Sequence, residues 1–467
     1  MKKNGINPSL KASIFYIFGN GVGQGVILLG TIVFSRIMTQ EEYGLYSTYY
    51  SMVSILTTVV GVNLFISLNT AYLDYRNNIR AYRKSILLLS FLVFSLISVI
   101  VLVGKQLIGI EVSQFLLVMA LVHAYSFFVV NYYNQSANME NRYKIKTVFL
   151  ILPNLLQVIL PIIFIFTLQV GTLNARVLGS VLAVLGCACF SAWCVIREKG
   201  ECYNREYWKY ALKISVPSVL SSISYMLMQQ SDKLMITAFF SAEDTAVYAL
   251  VYNVGYILYA VLQATNGAWQ AWLYRTIFHN NLDNVKRVQK WYLFAFTVMA
   301  HGLLMISPEL VKILGGEEYW QFEYIPPFIL GSCLMLMYTF YTTVGTLYKK
   351  TGAVSMCVFV AAIVNIVLNA MIIPIWGGVG AAYTSVVSYL VLFVLAGKLS
   401  EKLKPRLFSL KYFLLFFWAI VLGAILFMMI YENVVTRYIV FAGLILLEML
   451  YAYSKRHEIM ALIKGKQ

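Results

Sequence analysis

Seven residues, Tyr248, Tyr252, Tyr256, Tyr259, Gln263, Asn266 and Gln270, follow one another at steps of four and three. That spacing holds one face of a helix over about six turns. Lipid rejects carboxamides, so this face is expected to look into the protein. What it offers is hydrogen bonding and ring contact. A milder copy lies upstream in Tyr46, Tyr50, Ser54, Thr57 and Gly61. The apolar stretch before that copy carries Asn20, Gln24, Thr31 and Ser35, and the stretch before Tyr248 carries Ser222, Gln229 and Lys233. These residues read as the lining of a substrate path, or as the polar glue that joins helices in many bundles.

Two carboxylates stand in or beside apolar runs. Asp232 adjoins Lys233, and Glu448 lies within the run LILLEMLY. A buried carboxylate can hold a coupling ion, Na+ or H+, and Asp232 can equally be half of a structural ion pair. Arg36 closes the first apolar stretch, where it either meets an anionic head group or caps a helix C-terminus. The six cysteines form no Cys-x-x-Cys pair and the four histidines are scattered. No metal site, cofactor, hydrolase elbow or phosphate-binding loop is expected. The glycines of GNGVGQG sit inside an apolar stretch, where they serve close helix packing or a bend.

The elements that position these residues follow from composition. Of 467 residues, 60% are hydrophobic and only 12% charged, with a mean hydropathy of +0.74. Soluble domains carry roughly 25% charged residues. The chain is therefore expected to be an all-α polytopic membrane protein. Fourteen apolar stretches reach spanning length, near 12–36, 44–68, 85–104, 114–133, 147–168, 172–196, 211–236, 246–272, 291–307, 325–347, 352–375, 379–397, 412–431 and 436–453. The first is too long for a cleaved signal peptide and is expected to stay as a helix. Residues 280–290 could add a short interfacial helix.

The net charge of +16 could mean nucleic acid or topology. With the N-terminus cytoplasmic, alternate loops hold 30 of the 36 Lys and Arg residues, leaving Arg36, Lys105, Arg176, Lys233, Lys312 and Arg437 outside. That is the positive-inside pattern, and it removes the nucleic-acid reading. Both termini are then cytoplasmic.

The chain also repeats itself. Glu41, Glu42, Tyr46 and Tyr50 recur about 202 positions later as Glu243, Asp244, Tyr248 and Tyr252. Spans one and two thus map onto spans seven and eight, a parallel repeat. Two six-helix lobes are expected, 1–200 and 201–400, around a central cavity, with two further helices in 401–467.

The segments FxxxNGxGQ with SRIMTQEEYGLYS, SDKLMITAFFSAEDTAVYALVYNVG and KKTGAVSMCVFVAAIVNIVLNAMIIPIWGGVGAAYTSVVSYLV resemble the bacterial polysaccharide-biosynthesis exporters. These are the O-antigen and capsule repeat-unit flippases of the multidrug/oligosaccharidyl-lipid/polysaccharide exporter superfamily. The resemblance runs over essentially the whole chain. It implies flipping of a polyprenyl-pyrophosphate-linked glycan across the bacterial cytoplasmic membrane by alternating access, without enzyme activity. Membrane lipids and other polysaccharide-assembly proteins are the implied partners. A pyrophosphate wants cations, and sugars want aromatic faces and amides. The alternatives are a cation-coupled drug antiporter of the same fold and a membrane glycosyltransferase or polymerase. The short outer loops argue against the second.

Overall fold

Backbone groups in lipid have no water to bond, so the apolar stretches must close their hydrogen bonds within helices. The computed structural model describes residues 8–108, 113–140, 142–278 and 282–463, and among them there are helices and no strand. In chain order they are α1 (Pro8–Ile37), α2 (Gln40–Val60), α3 (Leu68–Asp74), α4 (Ile79–Ile108), α5 (Gln114–Met139), α6 (Tyr143–Thr167), α7 (Thr172–Ile196) and α8 (Arg205–Phe239). There follow α9 (Ala242–Phe278), α10 (Leu282–Gly315), α11 (Ile325–Leu347), α12 (Thr351–Leu403), α13 (Leu410–Ile430), α14 (Val434–Ser454) and α15 (Arg456–Ile463).

Among the described residues twelve of these helices are long and apolar enough to cross a membrane. A thirteenth span comes from α2 and the segment Leu64–Asp74, bent by 48° across a short break. The fourteenth is hidden in α12. Its 53 residues would run about 80 Å as one rod, against roughly 30 Å of hydrocarbon. At Gly377 the backbone takes φ 57° and ψ −145°, a conformation nearly confined to glycine. The two arms then lie side by side: Asn365 donates to Ser385 Oγ at 3.3 Å, and Thr384 hydrogen-bonds Asn369. Residues 20 apart meet this way only in a hairpin.

The expected interfacial helix is absorbed into α10. Residues 282–290 form its first turns without a break, while 280 and 281 lie outside the described residues. The termini 1–7 and 464–467, which carry part of the predicted basic charge, and His279 lie outside them too.

The chain divides into two compact units, Met1–Thr237 and Ala238–Gln467. In the first unit α7 packs on α5 and α6, α1 on α6, and α2 on α5. The glycines of α1 serve the α1–α6 approach: a Cβ at Gly19 would stand 3.1 Å from Thr147, and one at Gly23 3.2 Å from Asn154. Helix α8, which the sequence repeat groups with the second half, is tied to α2 within the first unit. Thr48 and Thr237 hydroxyls meet at 2.6 Å, and Ser51 donates to Gln230 Oε1 at 2.9 Å. In the second unit α11 packs on α12 and α9, and α10 on α9, α13 and α14.

The repeated acidic turns have a local cause. At α2, Thr39 Oγ1 accepts from the Glu42 amide at 3.2 Å, and Glu42 Oε2 accepts from the Thr39 amide at 3.1 Å. At α9, the Asp244 amide donates to Ser241 Oγ at 3.0 Å, and that hydroxyl donates to Asp244 at 2.7 Å. Both are N-terminal caps that satisfy otherwise orphaned amides, and both favour a negative charge on the first turn.

Candidate functional site

The polar stripe on α9 sorts by depth. Tyr248 is 1% exposed, edge-on to Phe328 with ring centroids 5.0 Å apart and to Tyr324 at 5.9 Å. Tyr259 is also buried. Between them Tyr252 and Tyr256 are half-buried, and the rings contact in sequence: 248 with 252 at 6.3 Å, 252 with 256 at 6.0 Å, 256 with 259 at 5.0 Å. Further along, Gln263 is exposed and hydrogen-bonds Tyr259, while Asn266 and Gln270 are half-buried and bonded at 3.2 Å. One helix face thus changes from aromatic packing against α11 to accessible carboxamides. Its accessible end can donate and accept hydrogen bonds beside a ring hydroxyl.

In the first unit the matching stripe is mostly engaged. Tyr46 bonds Ser180 at 2.9 Å, and the Arg176 guanidinium lies 3.6 Å over its ring. Phe34, at 4.1 Å, and Tyr43, at 5.1 Å, complete an aromatic enclosure around that cation. Tyr50 is edge-on to His123 and Phe127 at 6.4 and 6.2 Å, and Gly61 is buried against Phe128. Asn20 and Arg36 are exposed and Gln24 is half-buried. On α8, Gln229 donates to Tyr225 at 2.7 Å, and Lys233 donates to Gln230 at 3.4 Å. Asp232 is 3% exposed beside the half-buried Lys233. Successive helical residues point about 100° apart, so these two belong to different faces.

Glu448 on α14 is not a solitary carboxylate. Its Oε1 lies 2.8 Å from His301 Nδ1 of α10. Three further groups escape a reading of the sequence. Arg83 is 3% exposed and bonds Glu140, Glu198, Ser136 and the Tyr72 hydroxyl. Arg437 is 1% exposed and paired with Glu309. Arg176 is the third. A count of cations per loop places all three near membrane surfaces without asking what their side chains reach. Their signal was an arginine in the first turns of a span, within reach of rings or carboxylates on neighbouring helices. Among the described residues no group of three or more His, Cys, Asp or Glu could hold a metal ion.

Known proteins share both the sequence pattern and the architecture. The family model described as "Polysaccharide biosynthesis protein" matches residues 9–272, more than half of the chain. The chain belongs to the polysaccharide biosynthesis protein family. The matched part of this family member runs from α1 through most of α9 and contains every stripe residue named above. The Lsg locus putative protein 1 of Haemophilus influenzae is 27% identical over 205 residues, 42% of this chain and 50% of that protein. The chain thus spans about half the length of the curated relative it matches. The inward closed structure of the lipid II flippase MurJ is matched over 96% of this chain and 100% of its own, at TM-score 0.65 and 15% identity. An inward-facing multidrug resistance MATE transporter of the MOP superfamily is matched over 83% of this chain and 95% of its own, at TM-score 0.57 and 14% identity. At such identities the likeness is one of fold: this family member is a multi-pass, all-α protein with the architecture of those transporters.

Proposed function

We propose that the protein is a flippase that carries polyprenyl-pyrophosphate-linked oligosaccharide repeat units across the bacterial cytoplasmic membrane by alternating access. Its product feeds O-antigen or capsule assembly, and it makes and breaks no covalent bond. Both termini are cytoplasmic, and the working lobes are 1–200 and 201–400, with 401–467 as an addition. The observation that carries the reading is the family match over residues 9–272. The accessible carboxamides Gln263, Asn266 and Gln270, with the half-buried Tyr252 and Tyr256, are the groups suited to sugar hydroxyls and ring faces. Asn20, Gln24, Gln229, Lys233 and Arg36 supply further polar and cationic groups in the first unit, with Arg36 suited to the pyrophosphate. Buried Asp232 suits a coupling cation.

A cation-coupled drug antiporter is the second reading, favoured by the likeness to the MATE transporter. Deleting the gene separates them. Under the flippase reading, lipid-linked repeat units stay on the cytoplasmic face and surface glycan is lost, with drug sensitivity unchanged. Normal delivery to the outer leaflet in the deletion strain would remove the flippase reading.

A further inference from the structure

We propose that His301 and Glu448 form a one-proton binding site that fastens α13 and α14 to α10. Both ring nitrogens of His301 face acceptors. Nδ1 lies 2.8 Å from Glu448 Oε1 on α14, and Nε2 lies 3.1 Å from the Ala419 carbonyl oxygen on α13. A neutral imidazole has a single N–H and cannot satisfy both contacts against a bare carboxylate. Both close only when the pair carries one more proton. That proton sits on Nδ1, as imidazolium facing carboxylate, or on Oε1, as carboxylic acid facing imidazole, with Nε2–H on Ala419 in either case. The pair is then electrically neutral. When the proton leaves to bulk water the pair becomes an anion, and a ring lone pair must face an oxygen.

The pair is enclosed by its neighbours. The His301 and Glu448 side chains are 8% and 13% exposed. Among the described residues Glu448 Oε2 has no hydrogen-bond partner, which is costlier for an ionised oxygen than for a neutral one. The ring stands tightly against α13 because residue 423 is glycine: a Cβ there would lie 2.6 Å from His301 Cδ2.

No other charge on these helices is close enough in sequence to take the proton's place. On α10 the next are Glu309 and Lys312 on one side and Lys290, Arg287, Lys286 and Asp283 on the other; on α13 there is Lys411; on α14, Arg437. Each lies eight or more residues from the contact along its helix, roughly 12 Å or beyond, and Lys455, directly after α14 and seven residues from Glu448, has its ammonium on Glu458 at 3.8 Å. The other helices against α10 bring Glu243, Asp244 and Arg275 at the ends of α9, and no charge from α11. Tyr451, one turn beyond Glu448, is engaged by Trp291, Phe294 and Lys290.

The proton matters because α14 has little else. Arg437 is its one residue in the buried class, and most of its apolar side chains are exposed. Polar contacts hold it: Arg437 to Glu309, Glu448 to His301, and Lys290 to Glu458 just beyond in α15.

The test reads the full-length protein in lipid nanodiscs and needs no transport assay, so it stands or falls apart from the flippase reading. Infrared difference spectra between acid and alkaline pH should show one carboxyl-plus-imidazole proton released. In Glu448→Gln the amide still bonds Nδ1 and Nε2–H still bonds Ala419, so the fold is kept and that signal vanishes. The unfolding constant of the wild type should rise by up to about tenfold per pH unit from the unfolded histidine value, about 6.5, to the pH at which the folded pair releases its proton, and level off above it; that rise should be absent in E448Q. A folded E448Q with the wild-type spectrum and slope overturns the site. If E448Q does not fold, His301→Gln is read by the same spectra, and persistence of the imidazole signal overturns it equally.

Discussion

Arg83 shows what a single residue can hold in a chain of this kind. Its guanidinium reaches from α4 to Glu140 after α5 and Glu198 after α7, with Ser136 and Tyr72 completing its donors. Arg83→Met leaves Glu198 without its cation and Glu140 with Arg142 alone, at 2.7 Å. Breaking a buried pair costs about 3–5 kcal/mol. Glu140 and Glu198 keep 18% and 20% exposure, so a value near the lower end is expected, read as a shift in denaturant midpoint in detergent micelles. A second residue-scale prediction concerns pH. The hydrogen bond from Lys290, with Lys455 and Arg287 nearby, holds the Glu458 carboxyl below its usual range against the opposing effect of desolvation. A depressed carboxylate stabilises above its unfolded pKa and loses that contribution as pH falls through the folded value. Protease cutting near α15 should therefore increase below about pH 4, and Glu458→Gln should remove that step. Such residues were not legible beforehand. A loop count sees the sign and side of a cation, while burial and partner depend on which helices meet.

At the scale of elements, more could be read. The stripe on α9 was visible from spacing alone, but its division into buried Tyr248 and accessible Gln263 was not. Period tells which residues share a face; only the neighbour, here α11 with Phe328, tells how far along that face is covered. The accessible end is where substitution should affect transport and little else. Gln263→Leu with Asn266→Leu should lower flipping about tenfold or more, two hydrogen bonds at roughly 1 kcal/mol each, while the protein inserts normally. The acidic turns were legible as a repeat, and the Thr39–Glu42 and Ser241–Asp244 caps give the repeat its physical reason. The hairpin inside α12 rests on Gly377. Gly377→Ala places an L residue at φ 57° and a Cβ 3.2 Å from Phe240. A loss of about 1–3 kcal/mol is expected, read as a lower unfolding temperature.

For the whole molecule, the spans were legible because each apolar stretch had the length that a bilayer demands. Even the two that α12 runs together appeared as separate stretches either side of Gly377. What composition could not foresee was that α8 hydrogen-bonds α2. Its hydrogen bonds to α2 through Gln230 and Thr237 place it with Met1–Thr237. The most direct test of the function is to place the purified protein in vesicles holding a fluorescent polyprenyl-pyrophosphate-linked oligosaccharide and add a membrane-impermeant quencher. With the protein present, nearly all of the fluorescence should be lost, whereas vesicles without it should keep the inner-leaflet share. Equal quenching in both would contradict the flippase account.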